Sequence, residues 1–418
     1  MRIAFVAPFG LRAKGTTRAR VLPLARELAR RGHVVALFMP PYDSPEDSGL
    51  RWEDEGVSVI NIALPVFGQG AAPWHVWLGW RLFRAVRAWR PDVVHVFKPK
   101  GPSEVAGALL WVTRRKTNDQ RRTTKESVIR HPSLVVDSDD WEGAGGWNDD
   151  PRAGYSSLQR SFFAWQERFG LSHADAWTVT SECLRRRAVG CGADPARVYI
   201  LHNGTSANQG PKAKIGQQEG NAVFGDAPRA LLYTRFAGVR PVDVVALWGR
   251  VLERVPEATL TVVGRGLGGE ERKLVGAPGI TVQGWIEPAE LPGLFGRMSV
   301  AMVPWADTPP NRARHSAKVL ELMAAGLPIV AYAVGELPAT IGEAGVLVPP
   351  GDADAFVVAV AELMADPHRA ARLGAAAQAQ VQAHFTWERL ADVAIAAYHA
   401  AGGLNSPYKA PALPEGIG

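Results

Sequence analysis

Lys318 and Glu321 stand three residues apart in a run that is otherwise apolar, Ser316 through Ala325. Ser316 is suited to cap a helix, Gly326 and Pro328 stop it, an apolar strand follows and Gly335 ends the strand. A helix this apolar is expected to be buried, so its two ionisable groups need partners; leaving them unpaired would cost on the order of several kcal/mol. The open N–H groups at its start, with the helix dipole, favour an anion. A carboxylate about one turn further in can accept hydrogen bonds from a pair of hydroxyls. Together these features suit a nucleotide diphosphate and its ribose; the plain alternative is an i, i+3 ion pair on a surface helix.

Other residues could join that chemistry. Arg235 and Arg240 follow the first strand of the second half. Fixed cations stabilise the charge that builds on phosphate oxygens as a nucleotide diphosphate departs, although two solvated arginines in a loop would look the same. Gly15, between the first strand and first helix, lets the backbone approach a pyrophosphate. No Gly-x-Gly-x-x-Gly follows that strand and no acidic residue ends Val34–Met39, so the dinucleotide fingerprint is absent. Val263-Gly264-Arg265-Gly266-Leu267-Gly268 is a looser glycine-rich loop after a strand.

The elements that must position these groups form two series. At 418 residues the chain is too long for one ordinary core, and a hydrophobic fraction of 47% is that of a globular protein. Apolar strands at Ile3–Ala7, 34–39, 57–62, 93–97, 134–136 and 176–179 alternate with helices at 17–31, 76–90, 103–114, 156–170 and 182–190. A second series runs through strands 230–234, 259–263, 280–283, 299–303, 328–333 and 346–348. Its helices are read at 242–254, 289–296, 316–325, 353–365, 367–384 and 387–400. Strands of this kind, separated by helices, imply parallel sheets covered on both faces. The expected fold is therefore α/β, with two doubly wound, Rossmann-like domains facing a cleft. The division reads as an N-terminal domain 1–204, a polar linker 205–228, a C-terminal domain 229–385, a helix 386–401 returning to the first domain, and a tail 402–418.

Composition narrows the partners. Lys and Arg number 47 against 41 Asp and Glu, a net charge of +6 that favours phosphorylated ligands, membrane surfaces or nucleic acid. Trp77, Trp80, Arg81, Arg84 and Arg87 fall at helical spacing, and a basic stretch Arg114-Arg115-Lys116 to Arg130 follows; packing of the tryptophans into the core competes with docking on an anionic bilayer. No recognised nucleic-acid module accompanies the charge, so nucleic acid is not expected. Cys183 and Cys191 have no histidines at metal spacing and read as inert. The chain enters a strand at once, and no uninterrupted apolar stretch reaches membrane-spanning length, so the expected location is the cytoplasm or the inner face of its membrane.

Ordered along the chain stand Ala7-Pro-Phe to Gly15, Arg31-Gly-His-Val34, Arg90-Pro-Asp-Val-Val-His-Val96, Ala174-Asp-Ala176 to Glu182 and Leu201-His-Asn-Gly204. Leu232-Tyr-Thr-Arg235, Val262-Val-Gly-Arg-Gly266, Gln283-Gly-Trp285, Glu321-Leu-Met-Ala-Ala-Gly-Leu-Pro-Ile-Val-Ala331 and Val348-Pro-Pro-Gly-Asp352 continue the series. In order and spacing this resembles the GT-B-fold glycosyltransferases of family 4, which transfer a sugar from a nucleotide sugar with retention. The resemblance implies that Gly15 contacts the donor diphosphate, that Arg235 and Arg240 stabilise it, and that Glu321 binds ribose. It also implies that Ser316 and Lys318 hold phosphate while Arg312, Arg314 and His315 border the sugar pocket, with Gly264 and Arg265 on the donor side. The acceptor would be a glycan or lipid-linked molecule, with no metal and no resident cofactor.

Three departures mark the chain. Arg240 stands at a lysine position. Ala313 replaces the first glutamate of Glu-x7-Glu, leaving a Ser-x-Lys-x-x-Glu variant, and Asp139 stands where a histidine would orient the sugar. A carboxylate there can accept a sugar hydroxyl or stabilise an oxocarbenium-like centre; Asp139 and Asp140 could equally cap a turn. The same departures keep two rivals open: a nucleotide-sugar epimerase on this fold, and a non-catalytic binding descendant.

Overall fold

The computed structural model describes residues 1–12, 15–65, 72–121, 131–205 and 227–403. Residues 122–130 of the basic stretch, the side chains of 115–121, most of the expected linker 205–228 and residues from 404 on lie outside the described residues. The chain divides into two compact units, Met1–Asn203 joined by the helix that begins at Trp387, and Gly204–Thr386.

In the first unit, short apolar runs between turn signals make β1 (Arg2–Val6), β2 (Val34–Met39), β3 (Arg51–Asp54), β4 (Val57–Asn61), β5 (Val93–Phe97), β6 (Ser133–Ser138), β7 (Ala176–Val179) and β8 (Val198–Ile200). Their order is β3-β4-β2-β1-β5-β6-β7-β8, parallel throughout except for the antiparallel β3–β4 pair. Phe5 pairs with both Leu37 and His95, so one row of side chains crosses three strands to the same face. That face is covered by helix Leu22–Arg30 and by helix Trp387–Ala401, which packs on β6, β7 and β8. Leu24, Leu28, Leu390, Ala394 and Tyr398 share its core with Ile3 and Phe5.

Helices Ala72–Trp89, Gly101–Arg121 and Ser157–Ser172 lie side by side on the other face. Gly79 lets the first two touch: a β-carbon there would fall 2.4 Å from Val105 Cβ. Trp74 is buried, whereas Trp80 stays 39% exposed, with Arg84 5.0 Å from its ring; Arg81 lies 4.9 Å from the ring of Trp77. The tryptophan–arginine stripe is thus split, one edge in the core and one outside.

The second unit holds β9 (Arg229–Tyr233), β10 (Thr259–Val263), β11 (Ile280–Gly284), β12 (Val300–Val303), β13 (Ile329–Tyr332) and β14 (Val346–Val348), all parallel, in the order β11-β10-β9-β12-β13-β14. Leu231, Leu260, Trp248, Leu320, Met323 and Phe356 belong to its single core. Strand order reverses between β1 and β5 in one sheet and between β9 and β12 in the other. Crossovers leave in opposite directions at such points, which opens a crevice at the carboxyl ends of those strands.

Four elements escape the sequence reading. β3 is a polar edge strand, β8 has three residues, and helices Pro309–Ala313 and Leu337–Ile341 are single turns too short for an apolar period. The expected helix 17–31 also opens as a π-type turn, Thr17–Val21, before turning α-helical at Leu22. Among the described residues no helix is long and apolar enough to cross a membrane.

Candidate functional site

The reversal point of the second sheet gathers most of the singled-out groups. Helix Ala317–Ala324 starts on Ser316, whose hydroxyl accepts from Val319 N at 3.4 Å, and it buries Val319, Leu320, Leu322 and Met323. Its other side presents Lys318 and Glu321. Lys318 Nζ sits 4.5 Å over the ring of Tyr233, the last residue of β9, and the Tyr233 hydroxyl bonds the Glu321 carboxyl. Glu321 is an exposed residue, yet its carboxyl is crowded by protein. That desolvation holds it above the usual carboxylate range, against the pull of Lys318 and the Tyr233 hydroxyl. Burial likewise pushes the Tyr233 phenol up, and Glu321 adds to it. Tyr233 was not among the expected site residues; its signal was its place at the end of β9, two residues before Arg235.

Neighbouring loops are braced around this helix start. Arg314 stacks 3.6 Å from the centre of the Trp305 ring and donates to Ala237 O at 3.1 Å. Gly238 and Gly335 have positive φ, and a β-carbon there would run into Asn311 and the Arg312 backbone respectively, so both positions need glycine. Arg235 is exposed at the same strand end.

Some expected site residues are engaged elsewhere. Arg240 is 74% exposed and grips Asp243 through two hydrogen bonds of 2.6 and 2.7 Å, so it stands as half of a surface ion pair instead of a free cation. Such a pair is weak in water and yields readily to a stronger anion. His315 is buried, its ring 5.2 Å from that of Phe385, and it packs the turn instead of bordering an open pocket. The glycine-rich loop is closed by its own carboxylates: Gly266 N donates to Glu271 and Gly268 N to Glu270, both at 2.9 Å. Gly264 serves packing, since a β-carbon would fall 1.9 Å from Thr234 O; Arg265 remains exposed beside Gly284.

The first unit holds the other candidates, again at its reversal point. Gly15 accepts from Ala19 N at 3.1 Å, and Thr16 beside it donates to Asp139 Oδ2 at 2.5 Å. Asp139 and Asp140 follow β6 and face Lys98, which follows β5. Lys98 Nζ lies 2.7 Å from Asp140, 3.0 Å from Glu142 and 3.6 Å from Asp139 Oδ1. Lys100 adds a 3.1 Å bond to Glu142. Burial pushes Asp140 up to about 6 although Lys98 opposes it. Burial also disfavours the Glu142 charge, but Lys98 and Lys100 outweigh it and hold Glu142 down to about 2.

A buried network of residues far apart along the chain lies next to this cluster. Arg20 grips Asp137 at 2.6 and 3.0 Å and donates to the carbonyls of Leu201 and His202. Asp137 accepts from Thr178, Thr178 meets His95, and His95 meets the hydroxyl of Tyr398. Burial keeps His95 well below its usual value, hence neutral. Asp137 is thus committed to Arg20. Among the described residues no group of three His, Cys, Asp or Glu could hold a metal ion.

Two parallel α/β units, each with polar groups gathered where its strand order reverses, define a nucleotide-binding type of α/β protein. The model of the glycosyl transferase 4-like domain matches residues 15–204, and that of glycosyl transferases group 1 matches 242–366. The chain is similar to the glycogen synthase of Mycobacterium tuberculosis, 26% identical with 90% of this chain and 89% of that one covered. It is also similar to the GDP-mannose-dependent alpha-(1-6)-phosphatidylinositol monomannoside mannosyltransferase of Mycolicibacterium smegmatis, 27% identical over 51% of this chain and 59% of the other. Its fold matches the solved sucrose-phosphate synthase of Thermosynechococcus elongatus with a TM-score of 0.66, at 22% identity, covering 93% and 96% of the two chains. The chain belongs to the GT-B glycosyltransferases of the family 4 type, enzymes that use nucleotide sugars.

Proposed function

We propose that the protein transfers a hexose from a nucleotide-diphosphate sugar to an acceptor hydroxyl with retention of anomeric configuration. The observation that carries this reading is the Lys318–Tyr233–Glu321 group at the head of a capped, buried helix. A cation and open N–H groups there suit phosphate, and a carboxylate one turn on, oriented by a phenol, suits a ribose diol. Arg235 supplies a second cation, and Arg240 a third once it exchanges Asp243 for phosphate. Ser316 serves through its backbone and cap, and Arg314 is held ready on Trp305. We assign Gly15 to the diphosphate and Asp139 to the transferred sugar on the strength of the family resemblance.

No protein nucleophile and no resident cofactor or metal is part of this proposal: catalysis is stabilisation of the leaving diphosphate, which also takes the acceptor proton. For the acceptor we propose a glycan or lipid-linked precursor of a surface polysaccharide, reached from the cytoplasmic face. The exposed Trp80–Arg84 pair, with the half-buried Trp77–Arg81 pair beside it, supports docking on an anionic membrane. Nucleic acid has no part in it.

A thermal-shift screen of nucleoside diphosphates and their sugars tests the donor class. At least one should raise the melting temperature, and the gain should vanish in an Arg235→Ala, Lys318→Ala double variant. Products formed from donor alone, without acceptor, would point instead to an epimerase.

A further inference from the structure

Lys98 is not among the site residues expected from the sequence, and yet the residues after β6 are organised around it. Its backbone is left-handed, with φ of 61°, a conformation that a non-glycine residue holds only when its surroundings impose it. The surroundings are visible: Lys98 N donates to Asp137 O at 3.0 Å, and Ser103 Oγ donates to Lys98 O at 2.8 Å. This turn directs a largely buried ammonium at three carboxylates at once. The charged or titratable groups facing the cluster are Asp139, Asp140 and Glu142 after β6, Lys100 on its own loop, and the phenols of Tyr42 and Tyr155.

The carboxylates are not equivalent. Asp140 also accepts from Trp147 Nε1 at 3.2 Å, and Glu142 is shared with Lys100. Asp139 is buried with one oxygen on Thr16, while its Oδ1 has no hydrogen-bond partner. We propose that Lys98 is a positioning residue for sugar transfer: it holds Asp139, Asp140 and Glu142 as one rigid group, its ammonium 3.6 Å from Asp139 Oδ1, and that oxygen, which has no hydrogen-bond donor, accepts a hydroxyl of the sugar in transit. The inference rests on the assignment of Asp139 to that sugar. The ammonium supplies the charge that lets three carboxylates share one buried place.

The test uses the full chain with Lys98→Met and Lys98→Arg, and UDP-glucose and GDP-mannose as donors. Nucleotide release is followed, with calorimetry of UDP and GDP alongside. The methionine variant should lose kcat about a hundredfold while nucleoside diphosphate affinity stays within about twofold. Arginine should restore most of the rate, because it keeps the charge. Asp139→Asn should cost much less in the Lys98→Met background than alone, the signature of a shared role. The Asp140 carboxyl resonance should titrate higher in Lys98→Met than in wild type, a readout independent of turnover. If Lys98→Met melts early, Lys98→Gln below its own melting temperature gives the same comparison. An active wild type with kcat unchanged within about threefold in these variants overturns the Lys98 proposal alone. A wild type that neither binds UDP or GDP nor releases nucleotide overturns the transferase reading itself.

Discussion

Replacing Arg20 by methionine keeps most of the side-chain volume and deletes a buried charge. In the native protein Arg20 is 1% exposed and Asp137 is fully buried, so neither has water to fall back on. The variant strands the Asp137 carboxylate with only the Thr178 hydroxyl, and it leaves the carbonyls of Leu201 and His202 short of a donor. Removing one member of a buried pair costs about 3–5 kcal/mol, which for a unit of this size lowers its melting temperature by roughly 6–20 °C. Urea unfolding of wild type, Arg20→Met, Asp137→Asn and the double variant measures it. Because asparagine strands no charge, the double variant should be less destabilised than the sum of the singles by at least about 2 kcal/mol. A loss under about 1 kcal/mol in Arg20→Met, or strict additivity, would refute the claim that this pair organises the unit. Activity should fall too, since Arg20 shares a helical turn with Thr16, and Asp137 lies two residues before Asp139.

Other expected outcomes are as follows. Glu321→Ala should weaken nucleotide binding at least about tenfold, and Tyr233→Phe by less, as measured by calorimetry. Asp140 has its folded value raised from 3.8 to about 6, so its stabilising contribution is present below about pH 4 and is lost as pH rises through 6. Asp140→Asn should therefore gain on wild type by up to about 3 kcal/mol between pH 4 and pH 7 in denaturant melts. Glu142 works in the opposite sense: lowered from 4.5 to about 2, its contribution is lost as pH falls through that range. Gly264→Ala should destabilise the second unit by more than about 2 kcal/mol in the same melts, because φ is 115° there and the new methyl meets Thr234 O.

Most of the architecture could be read in advance because its strands are short apolar runs bounded by glycine, proline or charge. Val34–Met39, Val93–Phe97 and Ala176–Val179 stand where that pattern puts them. The edge strand Arg51–Asp54 could not be read, since one-sided pairing to β4 imposes no apolar pattern. The Ser316 cap and the Lys318–Glu321 face were legible, because both follow from spacing along one helix. Partners distant in sequence were not: Tyr233 is 88 residues from Glu321, Arg20 is 117 from Asp137, and Lys98 is 42 from Asp140. The resemblance implied that Arg240 stabilises the donor diphosphate and that Gly264 and Arg265 lie on the donor side. In the structure, neighbours two to five residues away take the local donors: Asp243 the Arg240 guanidinium, Glu270 the Gly268 amide and Glu271 the Gly266 amide.

Hydrogen exchange of the whole chain with and without UDP, GDP and ADP tests the central claim most directly. A binding nucleotide should slow exchange at the amides of Ser316–Glu321 and Thr234–Arg240 above all others. Tight binding that leaves both segments unprotected, or protection centred elsewhere in the second unit, would contradict the assignment of Lys318, Tyr233 and Glu321 to the donor.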